Sequence, residues 1–344
     1  REHTDTENIL KLRQVLSTLP AFCKDYFRAI DSTTTTKTRI SYAYDIRIFF
    51  QFLLDENPTF KKYAMTDFSV DVLDQIKAVD LEEYMEYLKV YQNGDKTETN
   101  GERGLKRKIS ALRSFYAYYY KREMIHTNPT VLIDVPKIHD KSIIRLDTDE
   151  VALLLDYIEH CGDSLTGQKR VYYEKTKERD LAIVTLLLGT GIRVSECVGL
   201  DIEDVDFKNN GIKVTRKGGN EMVVYFGEEV EKALKRYLEI REGITPLAGH
   251  EHALFYSAQR KRMGVQAVEN MVKKYSRQIT TTKKITPHKL RSTYGTALYQ
   301  ETGDIYLVAD VLGHKDVNTT KKHYAALDDA RRRQAATAVR LRED

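Results

Sequence analysis

The chain has 344 residues, a length that exceeds one typical domain and suits two. Hydrophobic residues make up 41% of it, which is enough for each domain to bury a core. It contains no run of about 18 apolar residues, so the sequence predicts no membrane-spanning helix. The net charge of +4 is too small to indicate nucleic-acid binding by itself, and the distribution of charge is more informative.

The chain contains three cysteines, Cys23, Cys161 and Cys197, and no CxxC pair. An odd number without paired spacing argues against a disulfide framework and against a zinc site. The N-terminal region is polar and mixed in charge, which is unlike a signal peptide. We therefore expect a cytoplasmic protein in a reducing compartment.

The first part of the chain is predicted to be almost entirely helical. Ile40, Tyr44, Ile48 and Phe52 recur every four residues and form one apolar stripe. The polar run 32–36 precedes this helix and offers side chains that can cap its first turn.

Two further predicted helices differ in charge. Residues 79–91 carry four acidic side chains, whereas residues 103–122 carry seven basic residues and no acidic one. The apolar stripe of the basic helix consists of Ile109, Leu112, Tyr116 and Tyr119. Its candidate contacts to a DNA duplex are Lys106, Arg107, Ser110 and Arg113. The alternative is a basic face that is merely solvated.

A change in composition marks a predicted linker at residues 136–146. Pro129 and Pro136 interrupt helical patterns, and the stretch that follows is polar and basic. A basic linker suits a chain that wraps round a phosphate backbone, so Lys141 and Arg145 are further candidates for DNA contact.

After the linker, a helix is predicted to run through Ile158, capped by Thr148 or Asp149. Residues 180–188 are almost wholly apolar and predict a buried helix that ends at Gly189 and Gly191. The β-prone runs 212–215 and 222–225 flank a pair of glycines, which predicts a β-hairpin. The rest of this part is predicted to be helical.

Six residues in five short blocks have the side chains needed for one chemical task. This candidate catalytic set is Arg193, Lys217, His288, Arg291, His314 and Tyr324. Two arginines, a lysine and two histidines suit the binding of a phosphodiester while a hydroxyl attacks it. The tyrosine supplies the hydroxyl.

Arg193 follows the predicted buried helix at a glycine turn, which would hold its guanidinium rigidly at the surface. The planar fork of that group matches two phosphate oxygens. The alternative is a structural arginine that pairs with Glu196, which lies on the next turn. Lys217 adjoins the hairpin turn, where a lysine beside glycines is common, and Arg216 is the rival candidate on the other face of the strand.

The block 286–291 is predicted to open a helix, with Thr286 as its cap and Pro287 in the first helical position. His288 and Arg291 would then share one face of the first turn. The positive end of the helix dipole favours an anion there. The alternative is a capped surface helix with an incidental histidine.

Another predicted helix, 304–312, ends at Gly313 and places His314 just beyond it. A histidine there is often only a favourable contact with the helix dipole. Tyr324 is one of 22 tyrosines, so its position, and not its residue type, selects it. Residues 319–320 are expected to cap the helix that carries it.

The content and order of these blocks resemble the tyrosine recombinases, the family that includes the phage integrases and the Xer chromosome-resolution enzymes. The resemblance spans residues 35–324, and it is strongest where the Thr-Gly-x-Arg-x-Ser-Glu block and the Lys-Gly turn occur. The chain departs from the family with Ser292 and Ala326, where the family often has histidine. Neither departure removes a member of the catalytic set, so we expect activity to survive both.

The resemblance implies a two-domain, mainly α fold that forms a C-shaped DNA clamp. A helical, SAM-like core-site DNA-binding domain would occupy residues 1–135, with the linker at 136–146. A mixed α/β catalytic domain with a small antiparallel sheet would follow at 147–327. Residues 328–344 would form a tail helix that is exchanged between protomers. The chain begins at Arg1 and not at Met, which we interpret as a processed or trimmed chain, and the sequence leaves open whether an arm-type DNA-binding domain lies upstream.

The resemblance also implies a mechanism. Tyr324 would attack the scissile phosphate, Lys217 would be the general acid for the leaving 5′ oxygen, and Glu196 would support Arg193 from behind. No ATP, metal or other cofactor would be needed. The partners would be double-stranded DNA with paired inverted core sites, a homotetramer that passes through a Holliday junction, and accessory DNA-bending or partner recombinase proteins.

Three outcomes of such chemistry remain open from the sequence: integration and excision of a mobile element, resolution of dimers, and inversion. Two other functions are alternatives. A topoisomerase of the IB type shares the phosphotyrosine mechanism, but the helical first domain favours a recombinase. A DNA-binding regulator without catalysis is disfavoured because every member of the catalytic set is present.

Overall fold

The computed structural model describes residues 2–137, 143–216, 219–314, 316–318 and 320. The chain divides into two compact units, Arg1–Asp140 and Lys141–Asp344, and the division falls within the stretch predicted as a linker. The prediction of a mainly helical chain with a small antiparallel sheet is confirmed. No helix of the described ranges is long and apolar enough to cross a membrane.

Unit 1 is built from helices and one β-hairpin. Its elements are α1 (Glu2–Leu16), α2 (Cys23–Ala29), α3 (Thr36–Asp55), α4 (Val72–Gln75), α5 (Ala78–Tyr87), β1 (Val90–Asn93), β2 (Lys96–Thr99) and α6 (Glu102–Lys121). The predicted cap of α3 is present, because the Thr35 side chain accepts a hydrogen bond from the backbone N–H of Thr38. Helix α3 packs against α1 and α6, and aromatic rings fill the space between α3 and α6.

The hairpin β1–β2 corrects the predicted helix 79–91. The helix ends at Tyr87, and Val90 and Tyr91 belong to a strand that pairs antiparallel with β2. Gly94 has a φ of +62°, which permits the tight turn between Asn93 and Lys96. The pair Asn93-Gly94 is a strong hairpin signal. The helical pattern before it led to a predicted helix that is four residues too long at its carboxyl end.

Helix α6 buries its predicted apolar stripe, since Ile109, Leu112, Tyr116 and Tyr119 are all at most 2% exposed. One basic residue of the helix is also buried. The ammonium group of Lys108 donates to the Asp45 carboxylate of α3 at 3.2 Å, and both side chains are less than 10% exposed. Arg107 donates to the same carboxylate, with Nη2 at 2.8 Å from Oδ1. A buried carboxylate with two cations therefore joins α3 to α6.

Unit 2 contains the remaining helices and a three-stranded antiparallel sheet in the order β3-β4-β5. Its elements are α7 (Thr148–His160), α8 (Gly167–Thr190), α9 (Val194–Gly199), β3 (Val205–Asp206), β4 (Gly211–Thr215), β5 (Glu221–Tyr225), α10 (Glu228–Glu242), α11 (Val265–Ile279), α12 (Pro287–Thr302) and α13 (Ile305–Leu312). Helix α8 is the central helix and packs against α7, α10 and α12.

The predicted elements of unit 2 occur with small changes. Helix α8 begins at Gly167, earlier than the predicted buried segment 180–188, because its first half is mostly polar and lacks the apolar pattern that marks the second half. The cap of α7 is Asp147 and not Thr148 or Asp149, and its backbone N–H donates to the Glu150 carboxylate at 2.8 Å. Thr286 does occupy the cap position of α12, but its side chain makes no capping hydrogen bond there.

The buried ion pair of unit 1 gives a test of its packing. Asp45→Asn should lower the free energy of unfolding by about 3 to 5 kcal/mol, because the buried Lys108 ammonium loses its carboxylate. Asp55→Asn is the matched control on the same helix; it is exposed and should change the value by less than about 0.5 kcal/mol. Urea unfolding measures both. Equal, small effects would mean that the pair does not stabilise the α3–α6 contact.

Candidate active site

The candidate site begins where α8 ends. Gly191 has a φ of +62°, and a Cβ atom there would lie 2.3 Å from the ring of Tyr294, so both the backbone conformation and the packing require glycine. The turn at Gly191 ends α8 and leads directly to Arg193, which precedes the first residue of α9.

Glu196 fixes Arg193 at two points. Its carboxylate accepts from the Arg193 backbone N–H at 2.8 Å and from Nη1 at 2.7 Å. The Glu196 side chain is only 3% exposed, whereas that of Arg193 is 37% exposed. The pairing that was the structural alternative is therefore present, and it also leaves part of the guanidinium accessible to an anion from solution.

Arg291 lies in the first turn of α12 and is only 4% exposed. Its guanidinium spans two elements: Nη1 donates to the backbone carbonyl of Gly191 at 2.6 Å, and Nη2 donates to that of Leu312. A planar group with fixed donors suits this bridging role. Arg291 therefore links the end of α8 to the end of α13.

The carboxyl end of α13 is closed by a Schellman motif. Gly313 has a φ of +62°, its N–H donates to the carbonyl of Asp310, and the N–H of His314 donates to that of Ala309. These two bonds satisfy two of the helix carbonyls that lack intrahelical donors. The backbone carbonyls of the next three residues, 311–313, accept hydrogen bonds from side chains.

Those three carbonyls each accept a hydrogen bond from a different arginine. Arg216 Nη2 donates to Val311 at 2.7 Å, Arg291 donates to Leu312, and Arg193 Nη2 donates to Gly313 at 3.3 Å. The negative end of the helix dipole favours cations at this position. We call this cluster of Arg193, Arg216, Arg291 and residues 311–313 the arginine junction.

Arg216 is the member of the junction that the sequence did not assign to it. The strand β4 alternates, with Ile212 and Val214 buried and Lys213 and Thr215 exposed, so residue 216 faces inward and is 9% exposed. Burial lowers the pKa of the Arg216 guanidinium, and the nearby Glu196 carboxylate opposes that shift. An arginine nevertheless keeps its charge in a protein.

The two candidate histidines differ in their surroundings. His314 directly follows Gly313 and is half-buried, and its Nδ1 lies 2.7 Å from the Thr320 hydroxyl. Thr320 is fully buried, and the sequence had suggested only a capping role for it. His288 is exposed near the start of α12, three residues before Arg291. The structure therefore brings Arg193, Arg291 and His314 together around one helix end.

Several predicted residues lie outside the described part of the chain. They are Lys217, Tyr324, Thr319, Lys141, Ala326 and the tail 328–344. The turn that carries Lys217 is nevertheless defined on both sides. The Arg216 backbone N–H donates to the carbonyl of Asn220, and the Gly219 N–H, at a φ of +86°, donates to the carbonyl of Arg216. Glycine at the left-handed position of Gly219 is typical of a hairpin connection.

The candidate DNA contacts differ in their surroundings. Lys106 and Ser110 are exposed on α6, and Arg107 is paired with Asp45 while remaining 45% exposed. Arg113 donates to two backbone carbonyls, with Nη2 at 2.8 Å from that of Ile133. Arg145 lies 3.8 Å from the Asp147 carboxylate. Internal bonds therefore occupy part of the guanidinium of Arg113.

The arrangement of cations around one helix end defines a site suited to a phosphate oxyanion. The phage integrase family model matches residues 145–331. The chain belongs to this family, the tyrosine recombinases, as the sequence blocks predicted.

Individual relatives agree with the family assignment. The chain is 32% identical over 331 residues to the tyrosine recombinase XerC of Caldanaerobacter subterraneus subsp. tengcongensis, which covers 93% of this chain and 86% of the relative. It is 30% identical over 345 residues to the tyrosine recombinase XerS of Streptococcus uberis, with 93% and 95% covered. The crystal structure of the XerH site-specific recombinase, in a post-cleavage complex with a palindromic difH substrate, has the same fold. Its TM-score is 0.65 at 22% identity, over 88% of this chain and 80% of that one.

The bridging role of Arg291 predicts a loss of stability in Arg291→Lys. A single ammonium cannot reach the carbonyls of both Gly191 and Leu312, so one buried acceptor would lose its donor, at a cost of about 1 to 3 kcal/mol. Ser292→Ala, at the next position, removes an exposed hydroxyl and should cost less than about 0.5 kcal/mol. Chemical denaturation measures both variants. If Arg291→Lys were as stable as the wild type, the bridge between Gly191 and Leu312 would not contribute to stability.

Proposed function

We propose that the chain is a site-specific DNA recombinase that cuts and rejoins duplex DNA through a phosphotyrosine. The Tyr324 hydroxyl loses its proton to solvent, and its oxygen attacks the scissile phosphorus to form a 3′-phosphotyrosine, while the bond from phosphorus to the 5′ oxygen breaks. The 5′ oxygen takes up a proton and leaves as a hydroxyl. A 5′-hydroxyl from the partner strand then attacks the phosphotyrosine and restores both the phosphodiester and the tyrosine.

The observation that carries this proposal is the convergence of Arg193 and Arg291 at the residues preceding His314. The accessible part of the Arg193 guanidinium gives a phosphate a route to the site. In a pentavalent transition state, negative charge grows on the non-bridging oxygens. Cations that are already held in place stabilise that charge without reorganisation.

Each remaining member of the set has a role in the proposal. His314 would donate to a non-bridging oxygen through the nitrogen that does not face Thr320. His288 would approach from the first turn of α12, where the helix dipole also favours an anion. Glu196 would keep the Arg193 guanidinium oriented, because it is buried and accepts from that group.

Lys217 is the proposed general acid for the leaving 5′ oxygen. Its hairpin position follows a strand in which alternate side chains face inward, and Arg216, the rival, is one of the inward-facing residues. Because neighbouring side chains of a strand face opposite ways, Lys217 would face away from the core, where it could reach the substrate.

The proposed reaction needs no ATP, metal or other cofactor. Each cleavage replaces one phosphate ester by another, so the free energy of the phosphodiester is retained in the protein–DNA bond. The reverse attack therefore reseals the strand without an added energy source.

DNA binding is proposed to use both units. Lys106, Ser110 and the exposed part of Arg107 are the best placed candidates on α6. Lys141 and Arg145 would contact the phosphate backbone near the division between units, and Arg113 would contribute less because of its internal bonds. Neutralising several phosphates in this way makes binding strongly salt-dependent.

The proposed assembly is a homotetramer on paired inverted core sites, with residues 328–344 of each protomer packed into its neighbour. The XerH structure was solved on a palindromic substrate, which is the same type of site. Strand exchange would pass through a Holliday junction, and accessory DNA-bending or partner recombinase proteins would set its direction. The placement of the two sites decides between integration or excision, dimer resolution and inversion.

A type IB topoisomerase is the second candidate, because relaxation uses the same covalent step. The relatives named as tyrosine recombinases XerC and XerS favour recombination over relaxation. Activity that needs two copies of a specific site supports recombination. Relaxation of any supercoiled plasmid, without exchange, supports the topoisomerase.

Tyr324→Phe should abolish the covalent protein–DNA adduct and leave the dissociation constant for DNA nearly unchanged, since only the hydroxyl is lost. The substrate is a duplex nicked beside the attack site, which traps the adduct for denaturing gel electrophoresis. Tyr306→Phe is the matched control at an exposed tyrosine and should form adduct as the wild type does. An adduct with the Tyr324 variant would assign the nucleophile elsewhere.

Lys217→Ala should cleave a normal substrate slowly and a 5′-bridging phosphorothiolate at close to the wild-type rate, because a thiolate leaves without a proton. Single-turnover cleavage of both substrates gives the ratio. The same rescue in an Arg216 variant, and its failure in Lys217→Ala, would show that the neighbouring residue is the acid.

A further inference from the structure

Arg216 makes the closest side-chain approach to the residue before His314. A Cβ atom added to Gly313 would lie 1.2 Å from Arg216 Nη1 and 2.3 Å from Cζ, so the guanidinium occupies the space above this glycine. The same group donates through Nη2 to Val311 at 2.7 Å. Gly313 is therefore needed both for its left-handed backbone and for the space that Arg216 fills.

The contacts of Arg216 connect two segments that are far apart in the chain. Its backbone belongs to the hairpin turn that carries Lys217, because it bonds to both Asn220 and Gly219. Its side chain reaches the end of α13. A displacement of that end would move His314, which is attached to it through the His314 N–H bond to Ala309.

Packing alone explains Arg216 poorly. Nε and Nη1 are buried and have no hydrogen-bond acceptor among the residues that the structure describes. Buried donors without acceptors destabilise a fold, and a charged group does so more strongly. Arg193 lies close enough to add repulsion, which Glu196 offsets. A hydrophobic residue of similar length would fill the space without this cost.

We infer that Arg216 is a positioning residue for the cleavage reaction: its guanidinium holds the carboxyl end of α13 so that His314 faces the scissile phosphate. This role rests on the proposed function. Arg216 acts through His314 and is neither the general acid nor a substrate ligand. It therefore differs from Lys217, and a phosphorothiolate leaving group does not compensate for its loss.

The test uses Arg216→Met, which keeps most of the side-chain volume and removes the donors and the charge. Lys213→Met is the matched control, since it makes the same change on the exposed face of the same strand. Arg216→Met should slow adduct formation by about tenfold to a hundredfold, as expected when a reacting group is displaced by about 1 Å. The control should stay within about twofold of the wild type.

A double-mutant cycle separates positioning from a general loss of structure. In a His314→Ala background, Arg216→Met should slow cleavage by no more than about twofold further, because the residue through which it acts is already absent. Thermal unfolding of each variant checks that it is folded. Effects that multiply, or an Arg216→Met rate equal to that of the wild type, would overturn the inference.

A spectroscopic measurement tests the inference without DNA. With isotope-labelled histidine, the ring resonance assigned to His314 by its loss in His314→Ala should shift in Arg216→Met. That of His252, which pairs with Glu203 on the surface, should not. An unchanged His314 resonance would contradict the positioning role. If the wild type forms no adduct, the proposed function fails, and this resonance still decides the role of Arg216.

Discussion

The carboxyl end of α13 is the constraint on which the site in unit 2 depends. The last carbonyls of a helix carry partial negative charge and lack intrahelical donors. Here Arg193, Arg216 and Arg291 reach these carbonyls from the start of α9, from the end of β4 and from α12. Charge-assisted bonds to three neighbouring carbonyls thus fix four segments relative to one another. His314 takes its position from this junction.

The junction also concentrates positive charge. Guanidinium groups this close repel one another, and the Glu196 carboxylate opposes the effect of Arg193 on Arg216. Three guanidinium groups with one carboxylate still leave the junction with a net positive charge. On our proposal, the scissile phosphate completes the neutralisation, and the transition state, with its extra charge, does so more fully. The same side chains would then serve both the fold and the proposed catalysis. This explains why Arg193 pairs with Glu196 and also remains partly exposed.

The sequence predicted those parts of the structure that local chemistry determines. Gly191 and Gly313 end their helices in the left-handed conformation, because glycine adopts that conformation without strain. The apolar stripe of α6 is buried, as its helical periodicity indicated. Periodicity does not report which distant group a side chain meets. The contact of Arg216 with Val311 joins positions 95 residues apart, and the burial of Lys108 depends on a carboxylate of another helix.

The central claim is that Arg193 stabilises charge on the scissile phosphate, and one comparison tests it most directly. Arg193→Ala is assayed for single-turnover cleavage of a phosphodiester and of a methylphosphonate at the same position, which lacks one charged oxygen. The account predicts a loss of about a hundredfold on the phosphodiester and a much smaller loss on the methylphosphonate. An equal loss on both substrates would contradict it, because Arg193 would then act through structure and not through charge.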